Sequence, residues 1–180
     1  WESFNLNLPN TPITDLKIKD NDLVVATSGR SFWILDNLGL LSQYQQNQKN
    51  LKLYAPETTN NGSWGSPFNG NSEDFDGTQD FVGVNPANGV ELYYYVPNIE
   101  KESEIRLKIE DSNGRLIREF TSIKDENYIS HNGGGAPPKP TLSKKKGLNR
   151  FHWDMTHKIV PGVPNVYIEA GFNGHRVIPG

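Results

Sequence analysis

The sequence has no cysteine, a single methionine, and no apolar run near the roughly 20 residues a membrane-spanning helix needs. Without cysteine there is neither a disulfide framework nor a thiolate metal site, a composition compatible with cytosol, periplasm or a bacterial exterior. The chain begins at Trp1, carries no signal peptide, and reads as a processed or excised piece of something longer. An excess of either charge is missing too: 18 basic against 21 acidic residues give a net charge of -3. That balance excludes electrostatic capture of nucleic acid, and the one basic cluster, Lys144-Lys145-Lys146, reads as a solvated loop. Also absent are a nucleophile elbow, a phosphate-binding loop, a dinucleotide fingerprint and an intact Ser-x-Asp-x-Gly-x-x-Trp box.

What is present suits a turn-rich all-β protein. Among 180 residues there are 17 glycines and 12 prolines, with 11% aromatic residues. The mean hydropathy of -0.64 reflects loops rich in Asn, Gln and Lys. Aromatic residues are too plentiful for a disordered chain.

Asp22 to Asp36 is the organising stretch. Leu23–Thr27 and Ser31–Leu35 flank Ser28-Gly29, where glycine supplies the positive φ of a tight turn, and a β-hairpin is expected. Leu23 to Ala26 and Phe32 to Leu35 are continuous apolar runs, so both faces of the pair should be covered, either by the rest of this chain or by other parts of a larger all-β array. Leu16 and Ile18 alternate with Lys17 and Lys19 as a half-exposed strand does, which makes a three-stranded meander. Leu38, Leu40, Leu41 and Tyr44 allow one or two helical turns, and Leu51–Pro56 adds a strand. Residues 57–80 read as an irregular linker containing the domain boundary.

Beyond it the β pattern restarts at Val90–Val96, Glu104–Glu110 and Arg115–Thr121. Ile105, Leu107 and Ile109 alternate with polar residues, and Asp111-Ser112-Asn113-Gly114 is a strong hairpin turn. Ile123–Lys146 is irregular. Gly147–Met155 gives a further strand, with Leu148, Phe151, Trp153 and Met155 as core candidates. The chain ends on the turn signal Pro179-Gly180, as if the following strand were lost.

Five motifs keep one order: Asp22-Leu-Val-Val-Ala-Thr-x-Gly-Arg-Ser-Phe-Trp-Ile-Leu-Asp36, Asn85-Pro-Ala-Asn-Gly89 before Tyr93-Tyr94-Tyr95, Ile109-x-Asp111-x-x-Gly114, Gly147-Leu-Asn-Arg-Phe-x-Trp-Asp154, and Pro179-Gly180. Together they resemble the C-terminal portion of large secreted propeller proteins related to sortilin and the VPS10 domain, often labelled BNR-repeat or glycosyl-hydrolase-like. The resemblance implies a terminal propeller blade with a connector helix over 1–56, a linker over 57–80, and an immunoglobulin-like or FlgD-like β-sandwich over 81–180 that lacks its last strands. Its partners would be the remaining blades, and its location secreted, periplasmic or at the cell surface. Ser28 stands where the resemblance leads one to expect His before Gly-Arg, and the inserts at 57–80 and 123–146 depart from the compact form.

Candidate site residues divide into three groups. Arg30, before Ser31-Phe32-Trp33, would in a propeller face the central channel and hold a carboxylate with its planar fork, although a structural ion pair or stacking on an aromatic ring is the first reading. Trp33, Trp64, Phe68 and the Tyr93 to Tyr95 row, Tyr93 and Tyr95 above all, offer aromatic surface to a protein or glycan. Asp74, Asp76 and Asp80 with Glu73 form the densest acidic group; the EF-hand template fails at Ser72 and Gly83, so a solvated loop comes before a Ca²⁺ site. His131, His152, His157 and His175 make no zinc-helix spacing and read as surface histidines. Asp154 and Arg150 bracket their strand, and a pair that ties sandwich to blade is as good a reading as a catalytic use. Asn61-Gly62-Ser63 fits a glycosylation sequon. No cofactor is implied. The residues point to a non-catalytic structural or interaction module; the resemblance alone implies the alternative, the C-terminal part of a glycoside hydrolase whose catalytic residues lie in missing blades.

Overall fold

The computed structural model describes residues 4–45, 47–60, 89–128, 138–158 and 174–178. The chain is all-β: eight strands in three antiparallel sheets, with one short helix, among the described residues. It divides into two compact units, Trp1–Gln48 and Lys49–Gly180.

The first unit is the expected meander. Strands β1 (Ile13–Lys19), β2 (Asp22–Thr27) and β3 (Phe32–Leu35) pair in sequence order. Asp20 and Asn21 both have positive φ, 49° and 70°, which is what a two-residue turn with the right twist requires. The second turn is longer than Ser28-Gly29 alone. Thr27 donates its backbone N–H to the Ser31 carbonyl, enclosing residues 28–30, with Gly29 and Ser31 at φ 82° and 62°. Helix α1 (Leu38–Gln43) is capped by Asn37, whose side chain accepts from the Leu40 N–H, while Asp22 accepts from the Asn37 N–H and so ties the helix to the start of β2.

Register assigns the two faces. Leu16, Ile18, Leu23, Val25, Trp33 and Leu35 share one face, and Val24, Ala26, Phe32 and Ile34 share the other with Asp15 and Lys17. Of the two sources of cover, the described residues of this chain do not supply it. Ile18 is 66% exposed on the first, and Phe32 71% and Ile34 62% on the second; only Val25 is buried. One six-residue helix is too small a partner to shield either face.

In the second unit β4 (Lys52–Leu53), β5 (Val90–Val96) and β8 (Gly147–Trp153) form one sheet, and β6 (Arg106–Glu110) and β7 (Leu116–Thr121) another. Lys52–Leu53, expected with the first segment, pairs instead with Tyr94 and Tyr95. The two sheets share a single core. Leu92, Tyr94 and Val96 of β5 and Phe151 and Trp153 of β8 meet Phe120 of β7, with Ile105, Leu142 and Met155 closing the cluster. Phe120 and Phe151 pack edge to face at 4.6 Å between centroids, joining the sheets. Leu148, expected in this core, is 46% exposed. It lies three positions before Phe151, and an odd offset in a strand puts the two on opposite faces.

The 111–114 turn forms as expected: the Asp111 carboxylate accepts the N–H groups of Asn113 and Arg115, and Gly114 has φ 76°. Outside the strands, Leu142 donates its N–H to the Thr121 carbonyl, and His157 and Val177 donate theirs to the carbonyls of His175 and Met155. The 174–178 segment is thereby held against 155–157. Lys144, expected to be solvated, donates to the carbonyls of Lys101 and Ser103, the latter at 2.9 Å.

Candidate functional site

Alternation along β5 decides which tyrosines face outward. Leu92, Tyr94 and Val96 enter the core, so Glu91, Tyr93 and Tyr95 lie on the opposite face of the sheet. Tyr94 is buried and donates its hydroxyl to the Ser143 carbonyl at 2.8 Å; burial raises its phenol pKa and that bond partly counters the rise. The Tyr93 to Tyr95 row is thus split, and the two tyrosines named from the sequence share the outer face, both half-buried.

Strand β8 completes this face. Register sets Arg150 opposite Tyr93, Leu148 opposite Tyr95 and His152 opposite Glu91. The Arg150 guanidinium forks onto the Glu91 carboxylate: Nη2 donates to Oε1 at 2.9 Å and Nε contacts Oε2. This bond, together with the Glu91 charge, holds the guanidinium pKa above its ordinary value, against a smaller opposing effect of burial. On β4, Lys52 lies opposite Tyr95, and its ammonium sits 5.1 Å from the centre of the Tyr54 ring. Tyr54 is buried yet stands outside the core cluster. The result is a patch with two tyrosine rings, an aliphatic side chain and a fixed donor–acceptor pair, all on one rigid sheet.

The remaining sequence candidates lie elsewhere. Arg30 is exposed in the β2–β3 loop; its carbonyl accepts the Trp33 indole N–H at 2.9 Å, and Trp33 is half-buried on the meander's first face. Trp64, Phe68, Asp74, Asp76, Asp80, the sequon and His131 fall outside the described residues. His152, His157 and His175 are exposed, and among the described residues no three His, Cys, Asp or Glu side chains gather as a metal site would need. Asp154 and Arg150 do not pair with each other: Arg150 binds Glu91, and Asp154 binds the buried Arg118 at 2.8 Å. Both pairs lie within the second unit.

Glu91, Leu148 and Arg150 were missed as partners of the tyrosines. Their own strand patterns were visible, but nothing local indicates that residues 59 apart are neighbours. An open cleft of about 420 Å³ lies between Lys124, Tyr128, Pro138 and Pro140, with an Asp125–Lys139 ion pair at 2.9 Å on its wall.

Comparison with known protein families, with curated proteins and with solved structures finds no match. The resemblance to sortilin-related propellers is carried by the five motifs alone.

Proposed function

We propose that this chain is a non-catalytic interaction module of a secreted β-propeller protein, and that it engages a protein or glycan through the outer face of the β4-β5-β8 sheet. The observation that carries the reading is the placement of Tyr93, Tyr95 and the Arg150–Glu91 pair together on that face. Tyrosine presents a large, stiff contact area and a polar tip, which suits recognition of partly polar ligands. The ladder that pairs β5 with β8 from Val90–Trp153 to Val96–Gly147 holds these side chains in place.

The two units fit the architecture that the motifs suggest. A three-stranded meander whose second and third strands are apolar on both faces is what a blade stacked between neighbours requires, and two antiparallel sheets over one core are what an immunoglobulin-like sandwich requires. In this reading the first unit packs against other blades and the second offers the binding face.

The test is thermal unfolding of the 180-residue chain against a panel of soluble glycans and peptides. A ligand that binds only the folded state raises Tm with its concentration. At least one member should do so, and Tyr95→Ala should abolish the rise. A Tm that no member moves, or a rise that survives loss of both tyrosines, would refute the assignment of this face.

A further inference from the structure

The two edges of the meander differ, and the difference points to a second copy of this chain. We infer that two chains pair antiparallel along the outer edge of β3, about a two-fold axis at Trp33, and so join their meanders into one continuous sheet.

Three observations lead there. The first is which backbone groups face outward. The bond from the Thr27 N–H to the Ser31 carbonyl makes theirs a hydrogen-bonded pair, and by alternation Val25–Trp33 and Leu23–Leu35 are hydrogen-bonded pairs too. The backbone groups of Phe32 and Ile34 therefore point away from β2, and among the described residues no strand lies beyond them. Their side chains are exposed as well.

The second is that the opposite edge is closed. On β1 the same alternation turns Leu16 and Ile18 outward, and the Leu16 N–H donates to the Asp15 carboxylate at 2.9 Å. Lys17, Lys19 and the register shift between Ile13 and Asp15 further discourage an added strand there. β3 has none of these devices: Phe32-Trp33-Ile34-Leu35 carries no charge, no proline and no register shift.

The third is self-complementarity. Only one antiparallel register pairs both outward residues of each copy: Phe32 lies opposite the second copy's Ile34, Ile34 opposite its Phe32, and the two Trp33 residues meet as a non-hydrogen-bonded pair. Phe32 and Ile34 share one face, so the pairing gathers these side chains from both copies. Arg30 and Asp36 flank the strand at equal distances from Trp33, and the same axis brings Arg30 of each copy towards Asp36 of the other. Both are exposed, and among the described residues neither is in an ion pair. This step goes beyond the blade reading, because neighbouring blades would cover the faces of the meander and a second copy takes its edge.

The contact is small, so the chain should be monomeric at about 10 µM and pair towards about 1 mM. The experiment is sedimentation equilibrium of the full chain across that range. Expected is a rise from 20.2 kDa towards twice that mass and no further, because the blocked β1 edge does not propagate the sheet. Arg30→Asp or Asp36→Arg alone sets like charges at both ends of the contact and should weaken pairing by about tenfold or more. An equimolar mixture of the two variants restores opposite charges at both ends and should pair as the parent does. Because the chain has no cysteine of its own, disulfides can read the register. Phe32→Cys mixed with Ile34→Cys should cross-link in a glutathione buffer, whereas either alone should not, its two sulfurs lying on diagonal positions.

A mass that stays at 20.2 kDa towards 1 mM overturns the inference. So does pairing that neither charge variant weakens, or a cross-link that forms as readily with one cysteine variant alone, since each places the contact on another surface. Growth past the dimer overturns it too, by showing that the β1 edge is open.

Discussion

Arg118 Nη1 lies 2.8 Å from Asp154 Oδ1 in the second unit, although Arg118 is 7% exposed and Asp154 is 47% exposed. The same nitrogen donates to the Thr156 hydroxyl at 2.5 Å and to the Thr156 carbonyl at 3.2 Å, and the hydroxyl donates onward to Asp154 at 2.7 Å. The guanidinium also stands 4.8 Å from the Phe120 ring centre. The Trp153 indole N–H donates to the Thr156 carbonyl as well, so one arginine fixes the turn where Met155 adopts φ 54°.

This arrangement predicts an asymmetry. Asp154→Asn leaves a buried guanidinium without its counter-charge, and should destabilise by about 2 to 3 kcal/mol, less than a fully buried pair because Asp154 is half in water. Arg118→Met removes the charge, fills much of the same volume and leaves Asp154 free to hydrate, so about 1 kcal/mol is expected. Urea denaturation at neutral pH measures both. A larger loss for Arg118→Met would mean that the stem packing of the arginine, not its charge, holds the turn.

A second prediction contrasts two glycines that both have positive φ. A Cβ on Gly89, φ 140°, would run into the Trp153 carbonyl and stand 2.6 Å from His152 Nε2. At Gly29, φ 82°, a Cβ would meet nothing within 4 Å. Gly89→Ala should therefore cost on the order of 3 kcal/mol or more, since backbone of β8 must move. Gly29→Ala should cost about 1 kcal/mol, the conformational term alone. Equal losses in thermal or urea unfolding would contradict the role of β5–β8 contact at Gly89.

These positions also show what the sequence made legible. The hairpins could be read because Asp20-Asn21, Gly29 and Asp111–Gly114 supply the backbone angles their turns need. The Tyr93 to Tyr95 strand could be read as aromatic surface, but its division between core and outer face comes from the structure. Arg118 could not be read. An arginine between Ile117 and Phe120 looks solvent-facing, but the register shift opposite Ile109 and Glu110 sets Arg118, not Ile117, against Ile109. β4 was misassigned because a two-residue strand carries no pattern of its own, and its partner lies beyond a long intervening stretch. The Arg150–Glu91 half of the site was hidden for the same reason: strand pairing across such a distance is a property of the fold.

Acid should weaken the fold through three carboxylates with lowered pKa values. Asp111 is held below its ordinary 3.8 chiefly by the Arg115 N–H, Glu104 below 4.5 by its bond from Arg106, and Asp125 below 3.8 by Lys139. A carboxyl whose folded pKa is depressed binds its proton more readily when unfolded. Its contribution is complete above about pH 4 to 5 and is lost as pH falls through the folded value. The urea midpoint should be flat from pH 7 to 5 and drop towards pH 3. Asp111→Asn, which keeps an acceptor for the two backbone N–H groups, should lessen the drop. An undiminished drop in that variant would place the acid sensitivity elsewhere.

The last prediction concerns the exposed faces of the first unit. Ile18 and Phe32 are 66% and 71% exposed on opposite sides of the meander, whereas Val25 is buried. In the 180-residue chain, Ile18→Thr and Phe32→Thr each remove little buried area, so stability should change by no more than about 0.5 kcal/mol. Threonine also suits a strand, which keeps the backbone preference. Val25→Ala should cost about 1 to 2 kcal/mol by the same reasoning about buried methyl groups. If the unit is a propeller blade, the ranking must reverse in a longer chain that supplies neighbouring blades: Ile18 and Phe32 would then be interface residues, and each threonine would cost several times more than in the 180-residue chain. Urea midpoints for the same three substitutions in both lengths decide it. Equal small costs for Ile18 and Phe32 in the two contexts would show that nothing stacks on the meander, and the blade assignment would fall.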